Sequence, residues 1–308
     1  MRVLMLGAGG IGGYFGGRLA AAGVDVRFLV RQKRAAQLAS TGLVIKSPLG
    51  DLATRVSTVT GAPPPVDAVL LACKAYDLDG AMDAIAPAVG TSTWILPLLN
   101  GVRHLERLDA RFGAERILGG LCHIGVALGA GGEILHLNTA ERLALGARTN
   151  SQQDVAFALH GLLERGGFAP VLSQDILQEM WEKFVFLATY AGMTTLMRAP
   201  IGAILQAADG KALIRRMLGE CVATAASAGH IPSQAAFSKM LATLTEHGSS
   251  GTASMLRDML HGGSTEHEHI MGDMLRRARE TGMDTPLLSV SLAHMQAYDA
   301  TRAAGIGA

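Results

Sequence analysis

The opening run RVLML–GAGGIGG, residues 2–13, constrains the fold of this chain more than any other stretch. Residues 2–6 are apolar without alternation, as in a strand covered on both faces. They lead into Gly7-Ala8-Gly9-Gly10-Ile11-Gly12, a GxGxxG pattern, and then into YFGGRLAAAG, of helical composition up to a natural stop at Gly23. With 38 glycines in the chain the pattern alone is weak, but its place between a strand and a helix is specific. Gly7 permits a tight turn, Gly9 lets backbone approach a pyrophosphate, and Gly12 lets helix and strand pack closely. The helix N-terminus then turns free N–H groups and partial positive charge towards phosphate. A dinucleotide site is expected, against the plainer reading of a glycine-rich turn.

The next strand, VDVRFLV (24–30), ends at Arg31, followed by Gln32, Lys33 and Arg34 with no acid nearby. A carboxylate there would bind a ribose 2′-hydroxyl and repel a 2′-phosphate, whereas Arg31 can pair with the phosphate through two N–H groups. NADP(H) is favoured over NAD(H); a solvated basic turn is the competing reading.

Further strand-like runs follow at 66–74, 91–101 and 116–125. Their alternation with helical segments predicts an α/β fold, a doubly wound and mostly parallel Rossmann sheet over residues 1–173. From 174 to 308 the pattern turns helical, with long segments at 176–197, 211–229 and 264–282, so an all-helical second domain is expected. A chain of 308 residues can bury two cores. The closing TRAAGIGA is expected to fray.

Lys+Arg 27 against Asp+Glu 26 leaves no broad electrostatic footprint for nucleic acid or an anionic membrane. The longest uncharged run, Ala84 to Val102, is broken by Pro87, Gly90, Pro97 and Gly101, which suits a buried strand with its loops better than a membrane span. The N-terminus lacks a secretory signal's length and cleavage site. Cys73, Cys122 and Cys221 are far apart; the first two, in apolar strand-like surroundings, read as buried free thiols. A cytoplasmic protein is expected. Nothing in the sequence bears on oligomeric state.

Chemistry at a nicotinamide needs a proton donor near the carbonyl oxygen. Lys183 sits among Trp181, Phe184, Val185, Phe186, Leu187 and Ala188, and desolvation in such company lowers a lysine's pKa towards the range of a general acid. It could equally snorkel off a core helix towards Glu179 or Glu182. Lys74 and Asn100 follow apolar strands, where ligands of a parallel sheet gather and where solvated loop residues are also common. In HGGSTEHEHI (261–270), Gly262-Gly263 end one helix, and Thr265 with Glu268 fits a capping box that starts the next. Glu266 then shares a buried face with Ile270 and Met274. His267 and His269, two apart, face different ways, so no metal site is expected.

In order and spacing, GAGGIGG at 7–13, Arg31, CKAYD at 73–77, LNG at 99–101, EMWEKF at 179–184 and SMLRDM…STE…RRARETG from 254 to 282 resemble the ketopantoate reductase (2-dehydropantoate 2-reductase) family. The resemblance implies a Rossmann domain, a helical domain and an active site in the cleft between them. It implies NADPH-dependent reduction of ketopantoate to pantoate, on the route to coenzyme A. Lys183 then takes the position of the proton donor, and Asn100 that of a residue touching cofactor and substrate. Lys74, Gly125 and Glu266 fall on cofactor-side positions, and Ser254 on a substrate position. Where the family uses substrate-side asparagines, this chain has Leu187, Ala191, Ile201 and Gly251. Each polar substrate group left unpaired there would cost about 1–3 kcal/mol. A 2-oxo acid or ketone remains the expected substrate. Alternatives are a paralogous reductase for a more apolar 2-oxo acid or ketone, and a non-catalytic NADPH-binding sensor that has no need of Lys183.

Overall fold

The computed structural model describes residues 1–305. The chain divides into two compact units, Met1–Asn100 with His104–Leu177, and Gly101–Arg103 with Gln178–Ala308.

In the first unit, β1 (Val3–Leu6), β2 (Val26–Leu29), β5 (Ser57–Val59), β6 (Ala68–Leu71) and β7 (Trp94–Pro97), numbered in chain order, form a parallel sheet of order β5-β2-β1-β6-β7. Val3, Leu4 and Met5 are fully buried, which explains why β1 reads as an unbroken apolar run. The register aligns Leu6 with Leu29 and Leu71, and Leu71 with Pro97, so four strands end on one edge.

A second sheet has the order β10-β9-β3-β4, built from β3 (Leu43–Lys46), β4 (Leu52–Thr54), β9 (Ile134–Gly146) and β10 (Val171–Leu172), with β8 (Gly119–Leu128) paired to β9. The run at 116–125, expected in the parallel sheet, touches it only through a parallel bridge between Ile117 and Ile95, and from Gly119 it runs in this second sheet. A Gly129–Gly132 turn folds β8 directly back on β9, and so short a connection permits only antiparallel pairing.

Helix α1 (Gly10–Ala21) lies between the sheets. A side chain at Gly16 would meet Phe28 of the first sheet at 2.8 Å, and one at Gly13 would meet Ile134 of the second at 2.6 Å. Each glycine costs a helix about 1 kcal/mol relative to alanine, and close packing on both faces offsets that cost. The other helices of this region are α2 (Gln32–Thr41), α3 (Leu78–Ile85), α4 (Arg103–Phe112) and α5 (Gln153–Glu164).

The second unit is helical: α6 (Ile176–Met197), α7 (Ile201–Ile204), α8 (Gly210–Ser227), α9 (Gln234–Leu244), α10 (Ser254–Leu260), α11 (Asp273–Glu280) and α12 (Pro286–Ala303). Its core gathers Phe184, Val185, Met193, Ile214, Met217 and Met274, all fully buried. Asp273, also fully buried, accepts hydrogen bonds from Arg276 at 2.6 Å and Arg277 at 2.9 Å. The Arg277 guanidinium in turn lies 5.0 Å from the centre of the Trp181 ring, which stacks on His230. The first turns of α6, which carry Lys183, are thereby tied to a buried ion cluster.

Two smaller expectations change. Cys122 and Cys221 are buried, and burial pushes the Cys221 thiol up to about 12, but Cys73 is only half-buried because it lies past the end of β6. At the C-terminus α12 continues through Ala303, so 301–303 do not fray, and residues 306–308 lie outside the described part. No helix among the described residues is long and apolar enough to cross a membrane.

Candidate functional site

The candidate cofactor loop is built on the common strand edge of the first unit. Gly7 turns the chain out of β1 at φ +89°, a conformation that only glycine adopts without strain. Gly9 caps α1 with no side-chain hydrogen bond, and a Cβ placed on it would meet nothing within 4 Å. The loop thus leaves room at Gly9, next to the helix N-terminus whose first-turn N–H groups have no intrahelical partner and suit a pyrophosphate. A Cβ at Gly12 would run into the carbonyl oxygen of Gly7, so this glycine is a packing necessity. Ala8, Gly10 and Ile11 complete the loop. The residues present fit a dinucleotide.

Arg31 caps α2 at the end of β2, its side chain 88% exposed. The expectation of no neighbouring acid holds along the chain but fails in space, because Asp77 from the turn after β6 comes to 3.4 Å of its guanidinium. Two β–α connections emerging from one sheet edge bring these charges together. The sequence also undervalued Arg34. Half-buried, it donates to the carbonyl of Ala8 at 2.8 Å and to that of Gly132 at 2.8 Å, pinning the glycine loop to the β8–β9 turn. Its place one turn into α2, after Arg31, was the available signal; the partners are remote backbone oxygens that no local pattern announces.

Lys74 caps a single turn at 75–77 directly after β6, and Asn100 follows β7; both are half-buried. Gly125 sits in a bulge of β8, and its N–H donates to Asn138 Oδ1 at 3.3 Å. Its neighbour Val126 touches the start of α1, where a Cβ on Gly10 would meet it at 3.0 Å. The first unit thus brings Gly125 alongside the glycine loop.

In the second unit Lys183 is half-buried on α6, and Leu187, Tyr190 and Ala191 follow at the +4, +7 and +8 positions of the same face. Two of the four positions that depart from the family pattern meet directly: the Ile201 N–H donates to the Gly251 carbonyl at 3.1 Å. Gly202 N–H likewise donates to Ser249 O at 2.8 Å, strapping the 249–251 segment across α7. Ser254 is exposed at the start of α10.

Glu266 is buried, as its face predicted, but the local structure differs from the expected capped α-helix. The Thr265 hydroxyl pairs with His267 Nδ1 at 2.8 Å, and residues Glu268–Gly272 form a π-helical turn with no side-chain cap. Gln296 donates to the exposed Glu268 carboxylate at 2.7 Å. His267 and His269, which the sequence left without a role, are both buried. The ring of His269 lies where a Cβ on Gly101 would meet it at 3.1 Å, so it packs under the turn that follows Asn100. A π-turn adds a residue to one helical turn and rotates the faces that 3.6-residue periodicity would assign. Among the described residues no three His, Cys, Asp or Glu side chains gather as a metal-binding group.

A family model described as ketopantoate reductase PanE/ApbA matches residues 3–150, and its C-terminal counterpart matches residues 175–299. The uncharacterized oxidoreductase YkpB of Bacillus subtilis is 36% identical over 98% of this chain and 100% of its own length. The solved structure of 2-dehydropantoate 2-reductase from Geobacter metallireducens shares 29% identity at a TM-score of 0.87, covering 96% of this chain and 99% of that one. A ternary structure of D-mandelate dehydrogenase with NADH and anilino(oxo)acetate has the same fold, at a TM-score of 0.87 with 19% identity, covering 98% and 99% of the two chains.

Proposed function

This chain belongs to the ketopantoate reductase PanE/ApbA family, oxidoreductases that act on a ketone or hydroxyl group, and from that premise we propose that it is an NADPH-dependent 2-oxo-acid reductase. The observation that carries the reading is the pairing of two features. One is a glycine loop whose helix N-terminus opens at the carboxyl edge of a parallel sheet; the other is a lysine on an apolar helix face in the second unit. When bound, the reduced nicotinamide supplies the hydride that adds to the ketone carbon. The Gly7–Gly12 loop holds the pyrophosphate by backbone N–H groups, with Arg34 bracing the loop. Lys183 gives a proton to the ketone oxygen, and its charge stabilises the alkoxide as it develops. Asn100 and Ser254 are assigned to substrate, and Asn100 also to cofactor; Lys74, Gly125 and Glu266 stand on the cofactor side.

Ketopantoate is the family's substrate, and a paralogous reductase of a more apolar 2-oxo acid is the second reading. Leu187, Ala191, Ile201 and Gly251 favour the second, because none offers a side-chain hydrogen bond to a substrate hydroxyl. The neighbouring D-mandelate dehydrogenase, solved with an anilino-substituted oxoacetate, shows that this fold can hold such a molecule. Following NADPH absorbance with ketopantoate, aliphatic and aryl 2-oxo acids separates the readings. Turnover of ketopantoate above all others supports the first, and preference for an apolar acid supports the second. Tight NADPH binding with no turnover at all points to a sensor.

For cofactor choice, the exposed Arg31 guanidinium is assigned to the 2′-phosphate, which must draw it from Asp77. Arg31→Ala should weaken NADPH binding by about tenfold or more, the worth of one charge-assisted pair, and leave NADH almost unaffected. Equal losses for both cofactors in a fluorescence titration would remove the assignment.

A further inference from the structure

The four substituted positions are described above by what they lack, yet the structure shows what stands in the space. A Cβ built on Gly251 would meet the hydroxyl oxygen of Tyr190 at 2.6 Å, a separation real Cβ atoms do not show. The Tyr190 phenol thus occupies the volume into which any side chain at 251 would project. The ring is held there, stacked on Phe186 with centroids 5.2 Å apart and planes 18° from parallel. The backbone at 251 is fixed as well, through the Ile201 and Gly202 hydrogen bonds to the 249–251 segment. A larger residue at 251 would have to push the phenol tip of Tyr190 aside.

Tyr190 also lies on the Lys183 face of α6, seven residues and about 10 Å further along the axis. Leu187 lies between them, and Ala191 and Ile201 are buried beside them. From the lysine outward, the face reads as amine, isobutyl, then aromatic ring. Burial raises the phenol's pKa, and Arg257 opposes that shift, so the hydroxyl stays protonated across the neutral range. A neutral aromatic surface at that distance from the lysine suits the far end of a substrate rather than its 2-oxo acid head. We infer that Tyr190, in the space left by Gly251, is a specificity-determining residue that selects 2-oxo acids carrying an aryl side chain. The inference rests on the 2-oxo-acid reductase reading and names the substrate class for it.

The test compares kcat/KM for phenylglyoxylate, phenylpyruvate, 2-oxoisovalerate and ketopantoate in the wild type and in three variants. The wild type should prefer an aryl acid. Tyr190→Ala should lower kcat/KM for the aryl acids by about tenfold or more, chiefly through KM, and change 2-oxoisovalerate by less than about threefold. Tyr190→Phe keeps the ring and should keep the preference. Gly251→Asn removes no packing and should displace the phenol tip, with a loss in the same direction as that of Tyr190→Ala. Combined with Tyr190→Ala it should add nothing further, since both act on the same ring. NADPH titration and thermal melting report whether each variant is folded, and Gly251→Asn serves alone should Tyr190→Ala not fold. Loss of the same size for every acid, additive effects of the two substitutions, or a wild type that prefers ketopantoate would overturn this inference alone. No wild-type turnover of any 2-oxo acid would overturn it together with the reductase reading.

Discussion

Lys183→Ala should bind NADPH as the wild type does and turn over its 2-oxo acid about 10²–10⁴-fold more slowly, the usual contribution of a positioned general acid. The split follows from location. Lys183 stands on α6 in the second unit, whereas the glycine loop, Arg31 and Arg34 belong to the first. Lys183→Arg separates the lysine's two assigned roles. Arginine keeps the positive charge beside the developing alkoxide but does not release a proton at any working pH. It should recover part of the rate. Single-turnover measurements at saturating NADPH read the chemical step directly. Unchanged kcat with a raised KM for cofactor would mean that Lys183 acts in binding and that the proton comes from elsewhere.

Gly12→Val should nearly abolish cofactor binding and destabilise the first unit. At Gly12 the obstruction is backbone: the added carbon runs into the Gly7 carbonyl, with the Ala72 methyl group behind it at 3.3 Å. A flexible side chain could swing aside, but Gly7 is already held at φ +89° and cannot. The helix must move away from the strand, and forced overpacking of this kind costs about 1–3 kcal/mol or more. If the strain falls on the loop that holds the pyrophosphate, about 3 kcal/mol is roughly a hundredfold in Kd. Gly9→Ala is the informative control, because a Cβ there meets no protein atom within 4 Å. It should leave the melting temperature unchanged and weaken NADPH alone. Wild-type affinity in Gly12→Val would show that the dinucleotide is not bound at this loop.

Much of the first unit was legible because its signals are local. A buried strand, a glycine turn and a helix start lie within thirteen consecutive residues, and each has a pattern that neighbours in sequence enforce. Strands β3, β4, β5 and β9 escaped notice because polar and charged residues interrupt them, whereas β1, β6 and β7 are short but continuously apolar. The run at 116–125 keeps one bridge to the parallel sheet at Ile117, but from Gly119 its partner is chosen by the turn at 129–132 rather than by its own composition. In the second unit Lys183 stood out through its apolar neighbours, and Glu266 through the family resemblance. The π-turn at 268–272 was hidden, because a 3.6-residue pattern and a π-bulge share the same residues and differ only in how surrounding helices pack.

The sequence by itself determined the parallel sheet with its dinucleotide loop and the helical second half, and marked Lys183 as a candidate; the four positions without asparagine were marked only by the family resemblance. The sheet, the loop and the helical half depend on covalent order and on the short-range sterics of glycine, apolar runs and helix starts. Only the tertiary structure decided that Asp77 confronts Arg31, that Arg34 braces the glycine loop, and that Tyr190 fills the space in front of Gly251. Each joins residues 26 to 61 positions apart, through contacts that exist only after strands and helices have packed.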